Sequence, residues 1–175
     1  KGMLVLLGFD YHKFKTSRRF QRCLDALPEN VLRIEESPEN TKEFQKLDNL
    51  LLSYLNDDDK GERAPILDEV FVPSVSFSNF LDGLKQLEDT LGLELPLYGS
   101  FSTSSYNVRP EFDYASFDGR KQMVEFLKLY TQLVESCQGS ITGNGPEGQV
   151  KALMTTRELN ENERKLYESI KEAFD

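Results

Sequence analysis

The sequence predicts an α+β fold, a ferredoxin-like split βαβ sheet with long helices packed on one face. Apolar runs of strand length alternate along the chain with longer segments whose apolar residues recur at helical spacing. The helical segments are long and the strands short, which favours helices on one face of an antiparallel sheet. The order of strands and helices leaves a parallel α/β arrangement open as the alternative.

The first part of the chain predicts two strand–helix pairs. Residues 3–9 form a short apolar run ended by a polar turn, which is typical of a buried strand. Residues 15–27 carry apolar side chains at helical spacing, and Pro28 stops the helix. Residues 30–36 alternate between apolar and polar, as a strand does. A second helix covers residues 38–55, which begin with a proline suited to the first helical turn.

The middle of the chain begins with an acidic turn at residues 56–61, the best internal break. The apolar run at residues 67–73 predicts a third strand. Ser76 can cap the helix that follows, and Gly92 suits its end. Two further strands are predicted at residues 93–98 and 104–108.

The last part of the chain predicts two helices joined by a glycine-rich loop. Asp118 can cap a long helix that runs to Val134. Residues 139–148 contain four glycines and form the loop. Residues 160–174 form the final helix, with its apolar side chains on one face.

Charge and composition limit the classes of partner. The net charge is −9 at pH 7, which disfavours nucleic acid and anionic membranes because both are negatively charged. No apolar run approaches the roughly 20 residues of a membrane-spanning helix, so we expect no integral membrane segment. No signal peptide is visible, and the chain opens directly into a strand-like run, which suggests a boundary inside a longer protein. Two cysteines, Cys23 and Cys137, are expected to be buried reduced thiols in a cytoplasmic protein.

Residue chemistry alone indicates no assembled catalytic site. The single histidine, His12, cannot by itself build a metal site or a nucleophilic triad, and a surface position is expected. The loop at residues 143–148 lacks the Lys–Ser/Thr pair of a phosphate loop, and no GxGxxG follows a strand. The hydroxyl-rich residues 100–105 have no base near them in sequence. Residues 57–59 lack EF-hand spacing, and the carboxylates at 68–69 are typical of a strand edge.

Four stretches resemble the C-terminal domain of FAD-linked oxidases. Residues 67–73, LDEVFVP, resemble the family's EDVAVP strand. Residues 99–110, GSFSTSSYNVRP, align without a gap with GHAGDGNLHVRP. Residues 139–152 align with GGSISGEHGDGRVKA, and the end of the chain at 167–175 is similar to FREIKRAFD. Their common order and spacing identify the chain as similar to the D-lactate and D-2-hydroxyacid dehydrogenases of that family.

The resemblance covers residues 62–175 well and residues 1–60 loosely. It implies that residues 1–175 are one substrate-side domain, a fragment of a longer chain. In the family, an N-terminal domain of the same protein binds FAD, and the C-terminal domain forms much of the pocket for a small 2-hydroxyacid. Hydride passes from the substrate to the flavin. The resemblance therefore implies FAD as the cofactor, bound mainly by a domain outside this chain.

This chain departs from the family at the positions that bind a divalent metal and transfer protons. Ser100 and Asn107 stand where the first motif has two histidines, and Asn144 and Gly145 stand where the second has glutamate and histidine. Ser and Asn are poor transition-metal ligands, so we expect no metal and no catalytic residue. Asn144 and Gly145 are candidate cofactor contacts, while Arg109, Ser100 and Asn107 are candidate substrate contacts. An arginine can bind a carboxylate at two points.

Three functions remain in competition. The first is the substrate-binding domain of an FAD-dependent oxidoreductase acting on a 2-hydroxyacid such as D-lactate, inactive when isolated. The second is a non-catalytic binding or regulatory module, since fold does not fix function. The third, a hydrolase using the hydroxyls at residues 100–105, has no visible base. A cytoplasmic location is expected, with peripheral association at the inner face of the membrane left open.

Overall fold

A computed structural model describes residues 5, 7, 15–28, 31, 67, 69–143, 151, 152, 154 and 159–174. The chain divides into two compact units, Lys1–Leu47 and Asp48–Asp175, and each is described by itself. The predicted strand at 30–36, except Val31, and the whole predicted helix at 38–55 lie outside the described residues.

The first unit contains helix α1, Lys15–Asp25. It confirms the helix predicted at residues 15–27, although the helix ends at Asp25, two residues before the predicted end. Val5 and Leu7 are about half exposed, at 45% and 52%, and neither lies in a strand. The prediction of a buried strand is therefore wrong at these two positions. Both would share one face of an extended chain, and that face is open to solvent.

The second unit contains a three-stranded antiparallel sheet with the strand order β1-β3-β2. The strands are β1, Val70–Phe71; β2, Leu97–Ser100; and β3, Ser105–Val108. An isolated antiparallel bridge joins Phe71 to Ser140 on the outer side of β1. The sheet and its flanking helices confirm the predicted α+β class.

Two strands differ from the predicted ranges. Only Val70–Phe71 of the run 67–73 pairs as a strand, because Glu69 has a φ of 53°, in the left-handed region, and turns the backbone out of the ladder. The strand predicted at 93–98 is found at Leu97–Ser100 instead. Pro96 has no N–H for a ladder, and the Leu95 N–H donates to the Glu88 side chain at 2.9 Å.

Three helices of the second unit confirm the predicted segments. They are α2, Phe77–Leu91; α3, Phe117–Ser136; and α4, Glu161–Phe174. A 3-10 turn, Ser74–Ser76, leads into α2, and Gly92 ends that helix at a left-handed φ of 63°. No helix in the described part of the chain is both long and apolar enough to cross a membrane.

The predicted N-terminal caps are both corrected. The Ser76 side chain makes no capping hydrogen bond, because a 3-10 turn already leads the chain into α2. The cap of α3 is Ser116, whose Oγ accepts the Gly119 N–H at 2.9 Å, while Asp118 lies inside the first turn. A carboxylate is also favourable there, since the amino end of a helix carries partial positive charge.

The core of the second unit lies between the sheet and helices α2 and α3. Tyr106 and Val108 point from β3 into this core, and Cys137 is a buried free thiol at the end of α3. Helix α4 buries none of its residues, and its apolar side chains are at least half exposed. Large side chains that the core encloses almost completely are Tyr130, Phe80, Phe126, Leu67, Ile141, Val70, Val72 and Val134.

Candidate functional site

The sheet has an apolar face and a polar face. Tyr106 and Val108 of β3 point toward the helices, and side chains alternate along a strand, so Ser105 and Asn107 point the other way. Asn107 pairs with Tyr98, and Ser105 pairs with Ser100, which places these four side chains on the same face. We call this surface of the hairpin, made by Tyr98, Ser100, Ser105 and Asn107, the polar face; Phe71 of β1 pairs with Ser105 and adds an exposed aromatic ring at its edge.

Asn107 is tied to the start of β1. It is only 7% exposed, and its Oδ1 accepts the backbone N–H of Glu69 at 2.7 Å. The two residues are 38 positions apart. Their hydrogen bond holds the start of β1 against β3, within the motif at residues 99–110. The Asn107 carbonyl oxygen is therefore already engaged by the protein.

Ser100 lies at the end of β2, where the hairpin turn begins. Its Oγ is 2.7 Å from the Oγ of Ser102, and its backbone is paired with Ser105. The turn itself is anchored, because Ser104 lies 3.2 Å, oxygen to oxygen, from Ser74. The hydroxyl of Ser100 is partly exposed beside the polar face, where it can donate or accept a hydrogen bond.

Arg109 follows β3 directly and is 7% exposed. Its guanidinium carbon lies 5.9 Å from the centroid of the Tyr98 ring, within range of a cation–π interaction. Its backbone N–H donates to the carbonyl oxygen of Pro96 at 3.3 Å. The structure thus brings Arg109 beside the polar face, on a backbone fixed by the adjoining strand.

The segment 139–143 runs along the outer side of β1. The Phe71 N–H donates to the Ser140 carbonyl at 2.8 Å, and the Ser140 N–H donates back at 2.9 Å. Ser140 and Thr142 place their hydroxyl oxygens 2.6 Å apart. A Cβ on Gly143 would overlap the Glu69 carbonyl oxygen, so only glycine fits this close approach of two backbones.

Several predicted site residues cannot be placed. Asn144 and Gly145 follow Gly143 directly but lie outside the described residues, as do His12, Asp68 and the acidic run at 57–59. Within the described ranges, no group of three or more His, Cys, Asp or Glu side chains could hold a metal ion. The structure places Ser100 and Asn107 on one face of the β2–β3 hairpin, with Ser100 at the turn and Arg109 beside Tyr98 toward the other end; the second half of the glycine-rich loop lies outside the described residues.

Two contributors to this region were missed by sequence reasoning. Tyr98 is the aromatic neighbour of Arg109, and its place on the polar face follows from its pairing opposite Asn107, which no sequence pattern indicates. Glu69 contributes through its backbone, which no side-chain pattern indicates.

Tyr106 lies on the apolar face. Burial raises the pKa of its phenol, and no described residue hydrogen bonds to its hydroxyl.

Comparison with known proteins identifies the family of the chain. A search of curated proteins gives no match. A family described as FAD linked oxidases, C-terminal domain, matches residues 2–175, nearly the whole chain. The β2–β3 hairpin, β1 and residues 139–143, which lie next to one another, belong to three of the four stretches that resemble the family by sequence. The chain belongs to the FAD linked oxidases, as a C-terminal domain of that family.

Proposed function

We propose that this chain is the substrate-side domain of an FAD-dependent oxidoreductase that acts on a small 2-hydroxyacid such as D-lactate. The single observation that carries the proposal is Arg109, a nearly buried guanidinium beside the hydroxyl-bearing polar face. Family membership supports a flavin enzyme as the whole protein, with FAD held by an N-terminal domain of the same protein.

Arg109 is suited to bind the carboxylate of such a substrate. A guanidinium offers paired N–H donors that match the two oxygens of a carboxylate. A nearly buried position strengthens that pair, because solvent screens it less. Tyr98 stacks near the cation and limits the directions in which the guanidinium can point.

The remaining contacts of the proposed site follow from hydrogen-bonding capacity. Ser100 is suited to bind the substrate hydroxyl, and the amide nitrogen of Asn107 can donate to a substrate oxygen. The backbone at Asn144 and Gly145 is proposed to contact the cofactor. The flavin, when bound, supplies the acceptor for the hydride, so this domain needs only to bind and orient the substrate.

A non-catalytic binding module is the second candidate. The hydrogen bond from the Glu69 N–H to Asn107 Oδ1 favours this candidate, because it gives the Asn107 side chain a structural role that needs no substrate. The only histidine of the sequence, His12, lies far along the chain from the motifs, so no imidazole base stands at the aligned positions. Such a module would bind a carboxylic acid without oxidising it.

The test uses the full-length protein. We expect flavin absorbance after purification, and anaerobic mixing with D-lactate or another D-2-hydroxyacid should bleach it. Arg109→Lys should raise the KM or Kd for the acid roughly ten- to a hundredfold, as expected for losing a charged two-point contact, with flavin content unchanged. Arg18→Lys on the exposed surface of α1 is the matched control.

The outcomes separate the candidates. Bound flavin that no hydroxyacid bleaches, together with acid binding that weakens in Arg109→Lys, would support the non-catalytic module. A preparation without flavin and without acid binding would refute both candidates. If Arg109→Lys and Arg18→Lys change the KM or Kd for the acid equally, Arg109 does not bind the substrate.

A further inference from the structure

Glu69 is the point at which three segments of the second unit meet. Its N–H is bonded to Asn107 on β3, and its carbonyl oxygen lies against Gly143. One residue later β1 begins, and Phe71 exchanges two backbone hydrogen bonds with Ser140. The conformation of Glu69 therefore determines how residues 139–143 lie relative to the β2–β3 hairpin.

The conformation of Glu69 is unusual for its residue type. A φ of 53° is left-handed, and side chains other than glycine rarely adopt it because the Cβ approaches the backbone carbonyl. Such strained positions persist only when surrounding contacts hold them. Glycine would suit this position better, so a specific contact is needed to keep a glutamate there.

Asn107 supplies that contact with its side-chain oxygen, outside the backbone ladder. Val70 pairs with Tyr106 and Phe71 with Ser105, so the next position of the ladder sets Glu69 opposite Asn107. The Val72 N–H donates to the Ser104 carbonyl, so the hydrogen-bonded positions beside β3 are Val72 and Val70, and in a continued strand the Glu69 N–H would point away from β3. Here the side-chain oxygen of Asn107 accepts it at 2.7 Å, which satisfies the donor while the backbone turns away.

We propose that Asn107 is a positioning residue that, through left-handed Glu69, sets the position of residues 139–143 against the hairpin. This positioning depends on the Asn107 side-chain hydrogen bond and on the close approach of Glu69 to Gly143. It holds the first part of the glycine-rich loop beside the polar face. This role does not depend on the flavin or on any substrate of the protein.

Hydrogen exchange in the full-length protein tests the proposal. In Asn107→Ala, exchange should rise roughly fivefold in peptides covering residues 69–73 and 139–143, as expected for losing one hydrogen bond. Peptides from α2 should be unchanged. Adding Glu69→Gly should restore slow exchange, because glycine adopts the left-handed conformation without strain.

Gln138 provides the matched control, since it is another left-handed residue, with a φ of 57°. Gln138→Gly should not restore slow exchange in the Asn107→Ala protein. Glu69→Gly alone should slow exchange in the same two peptides, a result that does not require the Asn107→Ala protein to fold. Unchanged exchange at 139–143 in Asn107→Ala, a uniform rise that includes α2, or equal rescue by both glycines would overturn the proposal.

Discussion

Replacing Tyr106 by phenylalanine should stabilise the protein. Tyr106 is 2% exposed, and its ring packs against Phe77, Phe80 and Phe101 at centroid distances of 4.7, 6.1 and 5.9 Å. Its hydroxyl is buried without a hydrogen-bond partner among the described residues. Tyr106→Phe keeps the ring contacts and removes only the oxygen.

The magnitude follows from the cost of burying an unsatisfied polar group. Such a hydroxyl costs about 1–3 kcal/mol in lost hydration, and removing it leaves only a very small space in the core. We therefore expect the free energy of unfolding to rise by about 1 kcal/mol. For a chain of this length, that corresponds to an increase of roughly 2–4 °C in Tm.

The assay is urea denaturation with a common m value, with Tyr167→Phe on exposed α4 as the control that should change nothing. Burial raises the pKa of Tyr106 above its ordinary value of 10.0. The folded state then holds its proton more tightly than the unfolded state, so wild-type stability falls as pH rises above about 10. The advantage of Tyr106→Phe should grow there. A loss of about 1 kcal/mol at neutral pH would instead show that the hydroxyl has a partner outside the described residues.

Three further outcomes are expected. Gly99→Ala should lower the free energy of unfolding measured in urea by about 3 kcal/mol, because its Cβ would overlap the Ser105 carbonyl oxygen; a variant as stable as the wild type would contradict this close packing. Ser116→Ala should cost about 1 kcal/mol by losing the cap on the Gly119 N–H, whereas Asp118→Asn should cost less, and the reverse order would reassign the cap. Calorimetric titration with Zn²⁺ or Mn²⁺ alone should show no tight binding, and one stoichiometric site would contradict this expectation.

The elements that could be predicted are those with a complete local signal. Helix α2 carries its own apolar periodicity and a glycine at its end, and β3 lies within one residue of its predicted range. The length of β1 could not be predicted, because Asn107, 38 residues away, helps to hold the left-handed Glu69 that ends the ladder. The capping residue of α3 was missed by two positions, since Ser116 and Asp118 are both suitable and only the hydrogen bond distinguishes them.

In the candidate site, too, some residues have a local sequence signal and others depend on distant contacts. Ser100, Asn107 and Arg109 were predicted as candidates from the motif that carries them, because a motif fixes residue types and spacing along the chain. Their neighbours were not found, since Tyr98 approaches Arg109 only through strand pairing.

The sequence by itself determined the α+β class and the family resemblance, both of which depend on residue type and local order. Only the tertiary structure decided which face of the sheet is polar and that Asn107 turns its oxygen toward Glu69. The physical reason is that strand register and long-range hydrogen bonds are set by packing between distant segments. No local pattern records that packing.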